Sequence, residues 1–153
     1  MKAQNVMVIE KNRKEWITLL GSADPVDLEA AIKELANKVE ITHVMKPETG
    51  MIMVQAKADG SNGRFNLGEV TVSRCVLEVN NNFMGTSWVM GSDLRHAELA
   101  ALFDALLQDP DTHDQLATTL IKELKAKQTA KNERLARDAS DTRVEFFTLK
   151  RGE

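Results

Sequence analysis

Residues 83–108 read FMGTSWVMGSDLRHAELAALFDALLQ, and the change of period inside this stretch decides the class of fold. FMGTSWVMG is a strand; from Leu94 the run is helical. Ser92 and Asp93 are both good N-caps. Leu99, Leu102, Phe103 and Leu106 then form a buried stripe, and Asp109-Pro110 ends the helix. A strand running straight into an amphipathic helix predicts an α+β chain. The first turn of that helix is unusual, because it carries Arg95 and His96 at the end of the macrodipole that prefers acids.

Upstream, EKNRKEWITLLG at 10–21 places Trp16, Leu19 and Leu20 on one side of a helix stopped by Gly21. A second helix follows in SADPVDLEAAIKELANK, with Asp24 as N-cap and Pro25 in the first turn. Leu28, Ala31, Ile32 and Leu35 form its stripe. After Val39 the period becomes that of strands. EITHVMK and MIMVQAK flank Pro47-Glu48-Thr49-Gly50, which predicts a hairpin, with Ile52, Val54 and Ala56 on one face of the second strand. LGEVTVSRCVLEV is a third strand, broken by Asn80-Asn81-Asn82 before FMGTSWVMG. The expectation is an antiparallel sheet of about four strands behind two N-terminal helices, then C-terminal helices and a strand-like tail.

Downstream, residues 112–139 predict a helix in two halves. The first has Leu116, Leu120, Ile121 and Leu124; the second keeps only Leu135 as a large apolar residue. So polar a helix is an exposed arm, or it lies on a partner. The tail RVEFFTLKRGE returns to strand character, and Phe146 and Phe147, being consecutive, face opposite ways on a strand.

The chain is 153 residues long, enough for one domain with a real core. A net charge of −3 gives no basic footprint for nucleic acid. The N-terminus has no signal-peptide core, and no apolar run approaches a membrane span. The single cysteine cannot make an internal disulfide, which fits a reducing compartment, so the expected localisation is cytoplasmic. The histidines at 43, 96 and 113 are not paired at i, i+4, and CxxC, HExxH, P-loop and nucleophile-elbow patterns are missing, so no metal site is expected. Cys75 sits beside Arg74, which could lower a thiol pKa; the simpler reading is a small buried strand residue. Arg74, among valines on its strand face, must be paired or at an edge. Asp93, Arg95, His96 and Glu98 crowd one helix N-terminus: they could cradle a phosphate or phosphonate, or simply fix the helix to the sheet.

Several runs carry a resemblance to the PhnG family, the smallest subunits of the bacterial carbon–phosphorus lyase core complex. They are ETG at 48–50, GRFNLGEVTVSRC at 63–75, GTSWVMGSDLRHAELAALFDALLQ at 85–108 and RVEFFTLKRGE at 143–153. The most specific are W-V-x-G-x-D-x-x-H-A-E, carried by Trp88, Val89, Gly91, Asp93, His96, Ala97 and Glu98, and R-V-x-F-F-T, carried by Arg143, Val144, Phe146, Phe147 and Thr148. The resemblance implies a subunit of ribose 1-methylphosphonate 5-triphosphate synthase, a multi-subunit transferase of phosphonate metabolism. It joins the ribose triphosphate of ATP to an alkylphosphonate and releases adenine. The implied partners are PhnI-like, PhnH-like, PhnJ-like and PhnL-like subunits, with ATP and alkylphosphonate as substrates of the complex. No cofactor, nucleic acid or membrane is expected for this chain alone, and it is expected to be inactive by itself. No catalytic residue carries over. The expected substrate-anion or interface cluster is Asp93, Arg95, His96, Glu98 and Arg74, and the expected partner interface is Arg143, Phe146, Phe147 and Arg151. Residues 1–153 then form a single domain whose segment 112–153 is a partner-wrapping arm and tail. The competing readings are a free-standing α+β ligand-binding module and an adaptor without enzymatic role.

Overall fold

The computed structural model describes residues 2–33, 39–58 and 63–141, with side chains from Asn12 onward. The order is α1 (Lys2–Ser22), α2 (Pro25–Lys33), β1 (Ile41–Lys57), β2 (Arg64–Val79), β3 (Phe83–Met90) and α3 (Leu94–Gln108). One long helical stretch follows: α4 (Pro110–Leu116), a π-helical turn (Ala117–Ile121) and α5 (Lys122–Asp141). Mixed α+β architecture with an antiparallel sheet holds. The expected final strand lies outside the described residues.

The sheet has three strands in the order β1-β2-β3, because the predicted turn at Pro47–Gly50 does not turn. The 17 residues of β1 run antiparallel to the 16 of β2. The ladder slips between His43 and Met45 and again between Met45 and Glu48, then resumes with Glu48 opposite Arg74. Pro47 has no N–H to give the ladder, and bulges absorb the gap. A partner strand long enough to pair with both halves of β1 makes this better than folding them onto each other. The β2–β3 connection is tight: Asn80 and Asn81 both have left-handed φ, near 50°, a conformation asparagine tolerates.

The helix α3 is the centre of the fold. Its predicted stripe of Leu99, Leu102, Phe103 and Leu106 is buried, and so are Ala97, Ala100, Ala101, Ala105 and Leu107. One side lies on the sheet, over Cys75, Leu77, Val79 and Val89; Trp16, Leu20, Leu28 and Ile32 of α1 and α2 complete the core with Leu116, Leu120 and Leu124. Approach to β3 is so close that a Cβ on Gly85 would stand 1.9 Å from the Ala101 carbonyl oxygen. Gly91 makes the corner between β3 and α3 at φ near 100°, which disfavours any residue with a side chain. Asp24 caps α2 through the Val26 N–H, and Asp93 caps α3 through the His96 N–H, both at 2.9 Å, as the sequence predicts.

Three surfaces stay bare among the described residues. The strand β3 reaches only the Val72–Val79 part of β2, so β1 and β2 project beyond it as a two-stranded ribbon. Met51, Ile52, Met53, Phe65 and Leu67 are exposed there. On the sheet face turned away from α3, Met84, Trp88 and Met90 of β3 are also exposed. Residues 129–141 of α5 are exposed on every turn. No helix among the described residues is long and apolar enough to cross a membrane.

Candidate functional site

The structure brings some of the predicted cluster together and separates the rest. The carboxylate of Asp93 is used by the cap itself. His96 turns inward and is buried, its Nε2 2.8 Å from the Leu20 carbonyl oxygen. A carbonyl only accepts, so Nε2 carries the proton and donates. That bond ties the start of α3 to the end of α1.

Arg95 points outward into a chain of charges. Its Nε donates to Glu29 of α2 at 2.7 Å, and its Nη1 to Glu98 at 2.7 Å. The other Glu98 oxygen accepts from Nε2 of His43 on β1 at 2.9 Å. The clamp therefore joins α2, α3 and β1. Its hydrogen bonds to Glu29 and then Glu98 raise the Arg95 pKa, keeping the guanidinium charged. Arg95 in turn holds the Glu29 carboxyl below the usual carboxylate range. The cation in the first turn of α3 is thus balanced by two carboxylates, Glu98 lying three residues on along the same helix face. His43 and Glu29 were not singled out in the sequence; they lie 55 and 66 residues from their partners.

Arg74 lies elsewhere, on the sheet face that α3 does not cover. Its Nε donates to Glu48 of β1 at 2.7 Å, and its guanidinium sits 5.5 Å from the centre of the Trp88 ring. The paired-arginine expectation holds, with a cross-strand partner. Its neighbour Cys75 faces the other way and is fully buried under α3. Burial, with the Glu98 charge as a lesser cause, pushes the thiol up to about 11. Cys75 is therefore a protonated core residue, and Arg74 does not activate it.

The residue that the sequence analysis passed over is Asp104, an acid in the middle of the apolar run of α3. It is fully buried. One carboxylate oxygen accepts from Arg13 Nε at 3.1 Å and Trp16 Nε1 at 2.9 Å; the other accepts from Arg13 Nη2 at 2.8 Å and the Thr86 N–H at 2.9 Å. Thr86 is on the outer edge of β3, so Asp104 replaces the missing neighbour strand at that point. Arg13 and Gln108 serve the same edge through the Met84 carbonyl. The signal was legible: a carboxylate inside a buried stripe requires donors, and Arg13 and Trp16 are the donors on the facing helix.

Among the described residues no group of three histidine, cysteine, aspartate or glutamate side chains converges as a metal site. Arg143, Phe146, Phe147 and Arg151 lie outside the described residues.

The family profile described as phosphonate metabolism protein PhnG matches residues 11–152. The chain belongs to the PhnG family. A curated relative from Rhizobium meliloti (strain 1021), named alpha-D-ribose 1-methylphosphonate 5-triphosphate synthase subunit PhnG, is 38% identical over 141 residues. The alignment covers 92% of this chain and 90% of the relative. In PhnG terms, the W-V-x-G-x-D-x-x-H-A-E run spans the β3–α3 corner. It supplies the open-face Trp88, the Gly91 corner, the Asp93 cap, the inward His96 and the Glu98 of the clamp.

Proposed function

We propose that this chain is a subunit of ribose 1-methylphosphonate 5-triphosphate synthase in cytoplasmic phosphonate metabolism. In that assembly ATP and an alkylphosphonate are the substrates and adenine is the leaving group. The near full-length match to a named subunit of that synthase carries the proposal. The chain's own part is structural or accessory. What supports this is the use of its charged groups: Asp93, Arg95, Glu98, Glu29, Arg74 and Asp104 bond to other parts of this chain. None of them is left to act as acid, base or nucleophile at a common point. Asp93, Arg95, His96 and Glu98 hold the β3–α3 corner, and the chemistry belongs to partner subunits of the PhnI, PhnH, PhnJ and PhnL kinds. The proposed contact with those partners is the exposed helix α5 together with Arg143, Phe146, Phe147 and Arg151.

The test is co-expression of the chain with its genomic neighbours, purification through a tag on this chain, and adenine release on adding ATP and methylphosphonate. The expected result is a complex whose phosphonate-dependent adenine release disappears when this chain is omitted. Alanine at both Phe146 and Phe147 is expected to abolish co-purification. Release that is unchanged without this chain would overturn the proposal. A stable monodisperse chain with no associated subunit would favour the free-standing binding module instead.

A further inference from the structure

The bare face of the sheet is built like the centre of a protein interface. Register sets Met84, Thr86, Trp88 and Met90 of β3 opposite Glu78, Val76, Arg74 and Val72 of β2. It likewise sets Glu48 and Ile52 of β1 opposite Arg74 and Val70. Trp88 is 51% exposed, Met84 52%, Met90 68%, Phe65 46% and Ile52 39%. These side chains together leave open apolar surface on the order of 500 Å², near the top of what a monomer normally shows and more than half of one partner's share of a standard interface. Tryptophan and methionine are favoured contact residues, the first as an anchor and the second as an adaptable filler. The charges in the middle, Arg74 and Glu48, already neutralise each other, with Arg74 laid against Trp88. Glu78, opposite Met84 at one corner of the face, is part-exposed and has no ion-pair partner among the described residues. An occupant therefore needs apolar surface over the centre and no anion against that corner.

The described C-terminal helix leads away from this face. The helix α5 is pinned to α1 and α2 by Lys125–Glu15 and Lys127–Asp27. It then runs about 20 Å further, at 1.5 Å per residue, before residue 142. The last described residues of α5 thus stand beyond the helical side of the molecule, with α3 between that side and the sheet.

We propose that this sheet face, centred on Trp88 with Met84, Met90, Ile52 and Phe65, is the docking surface for an apolar face of another subunit of the synthase, one that sets no anion against Glu78. The proposal rests on the functional reading above. It adds the surface, its anchor and the chemistry of the partner. Trp88 fills a pocket on the partner, and the ribbon of β1 and β2 extends the contact at one end.

The test compares three full-length chains co-expressed with the other subunits of the synthase: unsubstituted, Trp88→Ala, and Met84→Lys with Met90→Lys. Each is also purified alone for its melting temperature and its mass in solution. The lysine variant is expected to melt within a few degrees of the unsubstituted chain and Trp88→Ala somewhat lower, since its half-exposed ring packs on Arg74. Both are expected to stay folded and monomeric yet to lose at least tenfold of the co-purifying subunits. Undiminished recovery of the complex with both variants overturns the docking surface and leaves the functional reading standing. Failure of the unsubstituted chain to recover any subunit overturns both. An unsubstituted chain that is a dimer alone, and a monomer with either variant, assigns the face to a second copy and overturns the heteromeric partner. Normal assembly of the lysine variant only after residues 142–153 are deleted assigns the face to the chain's own tail.

Discussion

Replacing Asp104 with alanine should be the most costly single change to a polar side chain in this fold. The carboxylate has zero exposure and accepts four hydrogen bonds, from two nitrogens of Arg13, the Trp16 indole and the Thr86 amide. Removing it leaves the indole and amide donors with no acceptor, at about 1–3 kcal/mol each. The Arg13 side chain is one-third exposed and can turn toward water, so its charge adds less than a fully buried one would. The expected loss is about 3–5 kcal/mol, or a fall in melting temperature of about 6–20 °C for a chain of this size. Urea denaturation followed by tryptophan fluorescence measures it, with Trp16 as a reporter at the lesion. A cycle with Arg13→Met should show positive coupling of at least about 1 kcal/mol, since removing the cation relieves the variant. A loss below about 1 kcal/mol, or strict additivity with Arg13→Met, would refute the claim that this carboxylate is the node joining α1, α3 and the β3 edge.

Gly85→Ala should destabilise by at least about 3 kcal/mol, because its Cβ would lie 1.9 Å from a backbone oxygen of α3 that cannot move without lifting the helix; a thermal melt within a few degrees of the unsubstituted chain would contradict this. The Cys75 thiol is held up at about 11, so it is a proton-binding group in the folded state. Its contribution to stability is fully present below about pH 9 and is lost as the pH rises toward 11; Cys75→Ala should flatten that part of an alkaline denaturation profile, and the native thiol should react slowly with a disulfide reagent at pH 8. His96→Ala should cost about 1–3 kcal/mol through the unpaired Leu20 carbonyl and the space left, whereas Arg95→Ala, which breaks exposed ion pairs, should cost about 1 kcal/mol or less; differential scanning calorimetry of the two distinguishes them. If His96→Ala leaves the melt and assembly intact and lowers adenine release alone, His96 has a role in the site rather than in the fold.

The elements whose signals are local were legible in the sequence. Helix α3 was readable to its ends because Asp93, the leucine spacing and Asp109-Pro110 all act within a turn or two of each other. The same holds for the Asp24 cap of α2 and for the asparagine turn. The Pro47–Gly50 segment misled for the same reason: its local chemistry is that of a turn, and nothing nearby in the chain reveals that β2 is long enough to hold it straight. The candidate cluster was half legible. Arg95 and Glu98 lie on one helix face, but Glu29 and His43 come from α2 and β1, and no spacing rule joins them.

By itself the sequence determined the α+β class, the strand-to-helix corner from Trp88 to Glu98, the leucine stripe of α3 and membership in the PhnG family, because each rests on residue type and short-range order. Only the tertiary structure decided which way those residues point. It turned His96 into the core and Arg95 onto Glu29, laid α3 on the Cys75 face of β2 rather than the Arg74 face, and buried Asp104 against a sheet edge. It also left Trp88 bare. The physical reason is that burial and pairing are set by what lies across the sheet and between the helices, and those neighbours are tens of residues away in the chain.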